Sequence, residues 1–245
     1  MKNPVTAALL AALLLSGTAR AAAAAEGTSP PPERYALGLI WKGSAWSPER
    51  SAHGDSVQAE HLRNNQRMFE AGRLLAAGPC SGNPDLRGIW VWRVDSLAEI
   101  PALLAGDPAV QERRLRCDVY RWFADPGIGD EYRTARAREP GRPDSMVSFS
   151  LVLLRRGPAY TSNWTPKVKK VLGAHARNTA KLRREGALVL AGSIAGLGDA
   201  RGLLVFATDS SRTAKLLAAD PAVKAGRFVP EIWKWWTALG IVPGH

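Results

Sequence analysis

Two histidines of this 245-residue chain stand in the same short context: His61-Leu62-Arg63-Asn64 and His175-Ala176-Arg177-Asn178. An imidazole ionises near neutrality, so a histidine facing a cleft suits general acid or base chemistry. The spacing of Val168, Val171 and His175 puts that ring at or beside the buried stripe of a helix. The bland alternative is a histidine satisfied by a backbone carbonyl. Asp85 and Asp199 follow the two histidines at equal distance and could orient the ring and hold its tautomer. They could equally be turn residues bonding their own backbone before a glycine. Arg63 and Arg177 could clamp an acidic substrate in bidentate fashion, or lie on a solvated helix face. Asn64 and Asn178 add donors beside each ring. Trp41 and Trp46, with Trp164, fall at strand ends and loops, where indoles can wall a flat ligand. Residues Asp85, Asp199, His61 and His175 are thus the catalytic candidates. No metal-ligand spacing, nucleophile signature or phosphate loop accompanies them.

These residues sit in a pattern that occurs twice. Gly72 matches Gly186, Leu74 matches Leu188 and Gly78 matches Gly192, all 114 positions apart like the histidines. Asp95-Ser96 matches Asp209-Ser210; after a one-residue gap, Asp107-Pro108-Ala109-Val110 matches Asp220-Pro221-Ala222-Val223, and Trp122 matches Trp235. Each copy alternates strand and helix periods in the order βαββαβ, a ferredoxin-like unit. Gly72 and Gly186 mark helix ends, Pro166 a helix start, and Ser96 with Glu99 a capping box. Trp90 and Trp92 point one way on their strand, as do Leu204 and Phe206. A lone unit would expose that face, so two sheets are expected to pack face to face upon these residues. The expected fold is α+β: two ferredoxin-like units closed as an internal pseudo-dimer, a dimeric α+β barrel formed by a monomer. The units span 34–124 and 145–242, and the Pro/Gly-rich stretch 125–144 reads as a surface linker.

Residues 1–25 read as a secretory signal peptide. Lys2 is followed by an apolar run from Ala7 to Leu15 and by small residues, and the run is too short to span a bilayer. A periplasmic or secreted protein with no transmembrane segment is expected. In that compartment Cys80 and Cys117 could form a disulfide or remain two buried thiols. The formal net charge is +11, but no nucleic-acid-binding motif accompanies it, and its residues spread over the linker and one helix face. Nucleic acid is not an expected partner.

The segment from His61 to Pro79, with its Gly72-Arg73-Leu74-Leu75-Ala76-Ala77-Gly78-Pro79 run, and the later Asp-Pro resemble the YCII-related family. The second copy diverges, with Ser193 in place of the proline. The resemblance implies a dimeric α+β barrel and a cleft holding a histidine near an acidic residue. Glu70 and Glu185 stand close to the family's acidic position, though not in one register. It also implies kinship with muconolactone isomerase and with a dehydrochlorinase of chlorinated hydroxyquinols. The expectation is therefore a small organic ligand in a helix–sheet cleft and, if the protein is an enzyme, cofactor-free isomerisation or elimination with a histidine base. The rival is a non-catalytic envelope module.

Overall fold

The computed structural model describes residues 31–196 and 198–245. The export signal expected over residues 1–25 lies outside them. In the first half the elements are β1 (Glu33–Lys42), α1 (Ala52–Glu70), β2 (Leu74–Ser81), β3 (Leu86–Trp92), α2 (Ile100–Ala105), α3 (Pro108–Gln111) and β4 (Leu115–Ala124). A helix α4 (Asp130–Arg138) follows. The second half holds β5 (Met146–Arg156), α5 (Pro166–Arg184), β6 (Leu188–Ala195), β7 (Ala200–Phe206), α6 (Ser210–Ala218), α7 (Pro221–Lys224) and β8 (Phe228–Ala238).

The fold is α+β. The eight strands of the described residues close one barrel in the order β1-β3-β2-β8-β5-β7-β6-β4. Registers repeat between the halves: Ala36 faces Trp92 as Ser150 faces Phe206, and both pairings slip near the strand end, at Ile40/Trp41 and at Leu154/Arg155. The seams are made by reciprocal close approaches. A Cβ on Gly78 would lie 2.8 Å from Nε1 of Trp235, and one on Gly192 would lie 2.4 Å from Nε1 of Trp122. Each half thus leaves out a side chain where the other half's indole enters.

Inside the barrel lie Leu37, Leu39, Ile89, Val91, Trp122, Leu151, Leu203, Val205 and Trp235, a core drawn from both halves. Trp90 and Trp92 do not join it. They pack on the outer side, beneath α1, with Ala36, Val57 and Met68; Leu204 and Phe206 sit likewise under α5 with Leu182. The expected inner face is therefore the outer one. Both faces of β3 and β7 are buried, so their apolar runs carry no alternation to mark the inside. Cys80 lies in the barrel interior and Cys117 on the helix side. The two thiols are free, on opposite faces of the sheet. Burial pushes the Cys80 thiol up to about 12 and raises that of Cys117 as well.

Local chemistry sets the helix limits. Ser51 caps α1 by accepting from the Gly54 N–H at 3.0 Å. Gly72 (φ +72°) ends it, with the Arg73 N–H returning to the Met68 carbonyl at 2.9 Å. A left-handed φ costs glycine no Cβ clash, which is why a glycine stands there. The stretch expected as linker carries α4, acidic in its first turn and basic in its last, as the helix dipole favours. It docks on the barrel's end through Gly129 N–H to the Ile241 carbonyl, 2.9 Å, and Tyr132 N–H to the Gly240 carbonyl, 3.0 Å. Among the described residues no helix is long and apolar enough to cross a membrane.

Candidate functional site

The site is built on Asp107. It caps the short α3, accepting from the N–H groups of Ala109 at 3.1 Å and Val110 at 3.3 Å, with Pro108 in the first turn, where no donor is wasted. The cap fixes a carboxylate that is only 1% exposed under the inward face of α1. Val57, His61, Asn64 and Met68 make up that face. Asn64 Nδ2 donates to Asp107 at 3.1 Å, and His61 Nδ1 meets the two carboxylate oxygens at 3.1 and 2.9 Å.

The other edge of the ring is also held. Trp90 Nε1–H donates to Asn65 Oδ1 at 2.9 Å. An indole can only donate, so this bond fixes which end of the Asn65 amide is oxygen. The amide nitrogen of Asn65 then points at His61 Nε2, 3.3 Å away. Nε2 is therefore the acceptor, and the proton sits on Nδ1, donated to Asp107. The hydrogen-bond chain Trp90–Asn65–His61–Asp107 selects one neutral tautomer. Beside it the Trp90 ring lies 5.5 Å from the His61 ring.

His61, Asn65 and Trp90 line a cleft of about 450 Å³ between α1 and the seam of β2 with β8. Its wall is mostly apolar, from Leu62, Phe69 and Ile89 to Met146 and Ile241. Trp46 and Arg87 stand on it together, the guanidinium 4.5 Å from the indole centroid. Tyr132, carried by α4, closes another side and donates to Asp144 at 2.9 Å. Burial first, and then that bond, pushes the Tyr132 phenol up to about 12.

The second half repeats the anchor without the rest. His175 Nδ1 lies 2.9 Å from both Asp220 oxygens, Asn178 donates to Asp220 at 2.9 Å, and Asp220 caps α7 through Ala222 N–H at 2.8 Å. Burial opposes ionisation of Asp220, but the bonds from His175, Asn178 and Ala222 outweigh it and hold the carboxyl below its usual range. Thr179 replaces Asn65 and Leu204 replaces Trp90, and the His175 ring packs edge-on against Phe228 at 5.6 Å.

The carboxylates expected to orient the rings, Asp85 and Asp199, do not reach them; Asp107 and Asp220 do. Asp85 ends the β2–β3 turn and pairs with Lys42 at 3.5 Å; Asp199 pairs with Arg155 at 2.7 Å. Hairpin turns place both away from the histidines. Glu70 accepts from Gln66, and Glu185 pairs with Lys181. Asn64 and Asn178 join their rings through the shared aspartate. Arg63 is exposed and bonds Glu60, and Arg177 is exposed on α5. Trp46 reaches the cleft. Trp41 instead packs on the barrel core, with Trp233 at 6.3 Å and Arg116 over its face at 5.4 Å. Asp107, Asn65, Trp90, Arg87 and Tyr132 were missed as site residues. Asp-Pro does recur at nearly constant distance from each histidine, a signal that could have found Asp107.

Residues 44–122 match the family model of the YCII-related domain. That stretch of the first half resembles a YCII-related domain. Solved structures share the barrel fold at low identity. A chlorite dismutase variant of Candidatus Nitrospira defluvii in complex with cyanide aligns with a TM-score of 0.54 at 10% identity, covering 85% of this chain and 91% of that one. A heme-binding protein of Thermus thermophilus aligns at 0.52 and 14%, covering 86% and 93%. Comparison with curated proteins finds no match.

Proposed function

We propose that this is an exported protein that binds a small, flat organic anion in its first-half cleft. In this reading the two halves are duplicated ferredoxin-like units closed as an internal pseudo-dimer, and only the first keeps a working cleft. One observation carries the ligand: His61, braced at Nδ1 by a buried carboxylate, lies in the wall of a largely apolar cleft of about 450 Å³. Arg87 is the one Lys or Arg on that wall among the described residues, and its stacking on Trp46 offers a charge for a carboxylate and a ring for a flat skeleton. The occupant this suits is an aromatic acid or a carboxylated lactone.

The same geometry suits proton transfer without a cofactor. His61 Nε2 takes a proton from carbon as the Asn65 amide, whose contact is long, gives way. Asp107 stabilises the imidazolium that results. The proton then returns at another carbon, an isomerisation, or a leaving group departs with the electron pair, an elimination.

Heme, which the Thermus thermophilus protein is said to bind, does not fit here. An iron on Nε2 would bring a macrocycle that needs a flat slot beside the ring. That place holds Asn65 and the Trp90 indole, which is 1% exposed and bonded to Asn65. The test is titration of the mature chain with benzoate, salicylate and a carboxymethyl butenolide, followed by the ¹⁵N shifts of its histidines. Saturable shifts at His61 that Arg87→Gln weakens support the reading. Silence of His61 toward all three probes overturns it.

A further inference from the structure

The second half lacks the relay of the first but carries a different concentration of charge. The turn after β5 is pinned to the start of β8. Gly157 N–H bonds the Arg227 carbonyl at 2.8 Å, Ala159 N–H bonds that of Gly226 at 2.9 Å, and Tyr160 N–H closes on Gly157 at 3.0 Å. Tyr160 is thereby held against three guanidinium groups. Arg156, Arg201 and Arg227 place their Cζ atoms 4.8, 5.3 and 4.6 Å from its ring centroid. The first half builds the same turn through Gly43, Ala45 and Trp46. There Trp46 stands in place of Tyr160, with Arg87 at 4.5 Å and Lys42 at 5.9 Å.

The two turns differ in compensation. Lys42 is neutralised by Asp85. Around Tyr160 the nearby carboxylates, Asp199 and Glu231, are both taken by Arg155 at 2.7 Å. Among the described residues Arg156, Arg201 and Arg227 form no ion pair; Arg201 donates to neutral oxygens alone, the Tyr160 hydroxyl at 3.3 Å and the carbonyls of Ala200 and Gly198. Arg227 is the telling member. It is 7% exposed, its Nη1 donates to the Thr161 carbonyl at 2.9 Å, and its Nε is buried without a partner. A buried cation with no carboxylate partner is costly unless an anion offsets its charge. One phenol ring cannot offset three converging positive charges.

We infer that the turn around Tyr160 is an oxyanion-binding site for a phosphate-type group, with Arg156, Arg201 and Arg227 as its donors and the Tyr160 hydroxyl as a further polar contact. Arginine forks suit tetrahedral oxyanions. The group is either free phosphate or pyrophosphate, or the headgroup of an anionic phospholipid. This site is separate from the His61 cleft and does not depend on it.

The experiment is calorimetric titration of the mature chain with inorganic phosphate and pyrophosphate in low-chloride buffer, beside co-sedimentation with phosphatidylglycerol and phosphatidylcholine vesicles. Arg156→Gln and Arg201→Gln should each weaken binding about tenfold, the loss of one charge-assisted contact. Lys181→Gln with Arg184→Gln, on the outer face of α5, lowers net charge by more and should leave binding within about twofold. Binding of the soluble ions that follows this pattern supports the site with a soluble ligand. The same pattern on phosphatidylglycerol vesicles alone supports it with a headgroup. Failure of both, or binding that the Lys181/Arg184 variant weakens as much as the Tyr160-site variants do, overturns it. Circular dichroism of the two surface variants shows that they fold.

Discussion

His61 and His175 are held alike at one ring nitrogen and differently at the other. Each Nδ1 faces an aspartate that caps a four-residue helix and also receives an asparagine one turn along the same long helix. This shared part fastens helix to helix outside the barrel. At Nε2 the halves separate. His61 meets an amide locked by an indole and borders a cleft, whereas His175 has Phe228 at its side. The pair by itself is therefore an architectural device, and whatever chemistry the protein performs depends on what surrounds Nε2.

The largest expected effect would separate the halves by function. With a turned-over substrate in hand, His61→Gln should lower kcat/KM by about 10²–10⁴-fold, the usual worth of a positioned base. His175→Gln should leave it within about threefold of the starting value. Equal losses in the two variants would show that the histidines act through stability and would remove the distinction between the halves.

A second prediction concerns what the halves share. Asp107→Ala strands His61, Asn64 and two helix N–H groups in a site that is almost fully buried, and should cost about 3 kcal/mol in urea unfolding. Asp220→Ala should cost a similar amount, because the bond set is the same. A neutral result at either position would mean that water replaces the carboxylate there.

Much of this architecture was legible in the residues. The paired glycines at 72 and 186, the Ser96–Glu99 capping box and Pro166 in the first turn of α5 are local features, and local chemistry decides them. Four things were not legible. Trp90 and Trp92 face the helix and not the barrel interior, because a strand buried on both sides carries no alternation to read. The α4 helix hid within a stretch rich in proline and glycine, although its acidic start and basic end were in plain view. The carboxylate partner was misassigned because distance along the chain says little about which turn folds back under α1. Asp107 arrives there only through the crossing of α2 and α3. The cleft was out of reach for the same reason: its walls come from α1, β2, β3, α4, β8 and the chain after β8, which meet only when the barrel closes.

The relay can be tested without a substrate. Trp90→Phe keeps an aromatic ring but removes the pyrrole half and with it the donor that orients Asn65. The expected cost is about 2 kcal/mol, one neutral hydrogen bond and the small cavity left behind. The ¹⁵N shifts of His61 should then move from those of a single Nδ1-protonated tautomer toward a mixture, while those of His175 stay as they were. An unmoved His61 would place the tautomer under the control of Asp107 alone and would make the first half more like the second.

The smallest effect lies on the acid side and belongs to the second half. The carboxyl of Asp220 is held below the ordinary aspartate value of 3.8, so the folded state binds its proton less readily than the unfolded chain does. Its contribution is therefore fully present above that value and is lost as pH falls through it toward the folded pKa. Urea unfolding midpoints measured between neutrality and about pH 3 should fall most steeply at the acid end. Asp220→Asn keeps an acceptor for the Ala222 N–H but cannot titrate, so it should start less stable at neutral pH and lose less on acidification. If the two slopes coincide, the anchor beneath His175 is held by its cap and its packing, with no share owed to the charge.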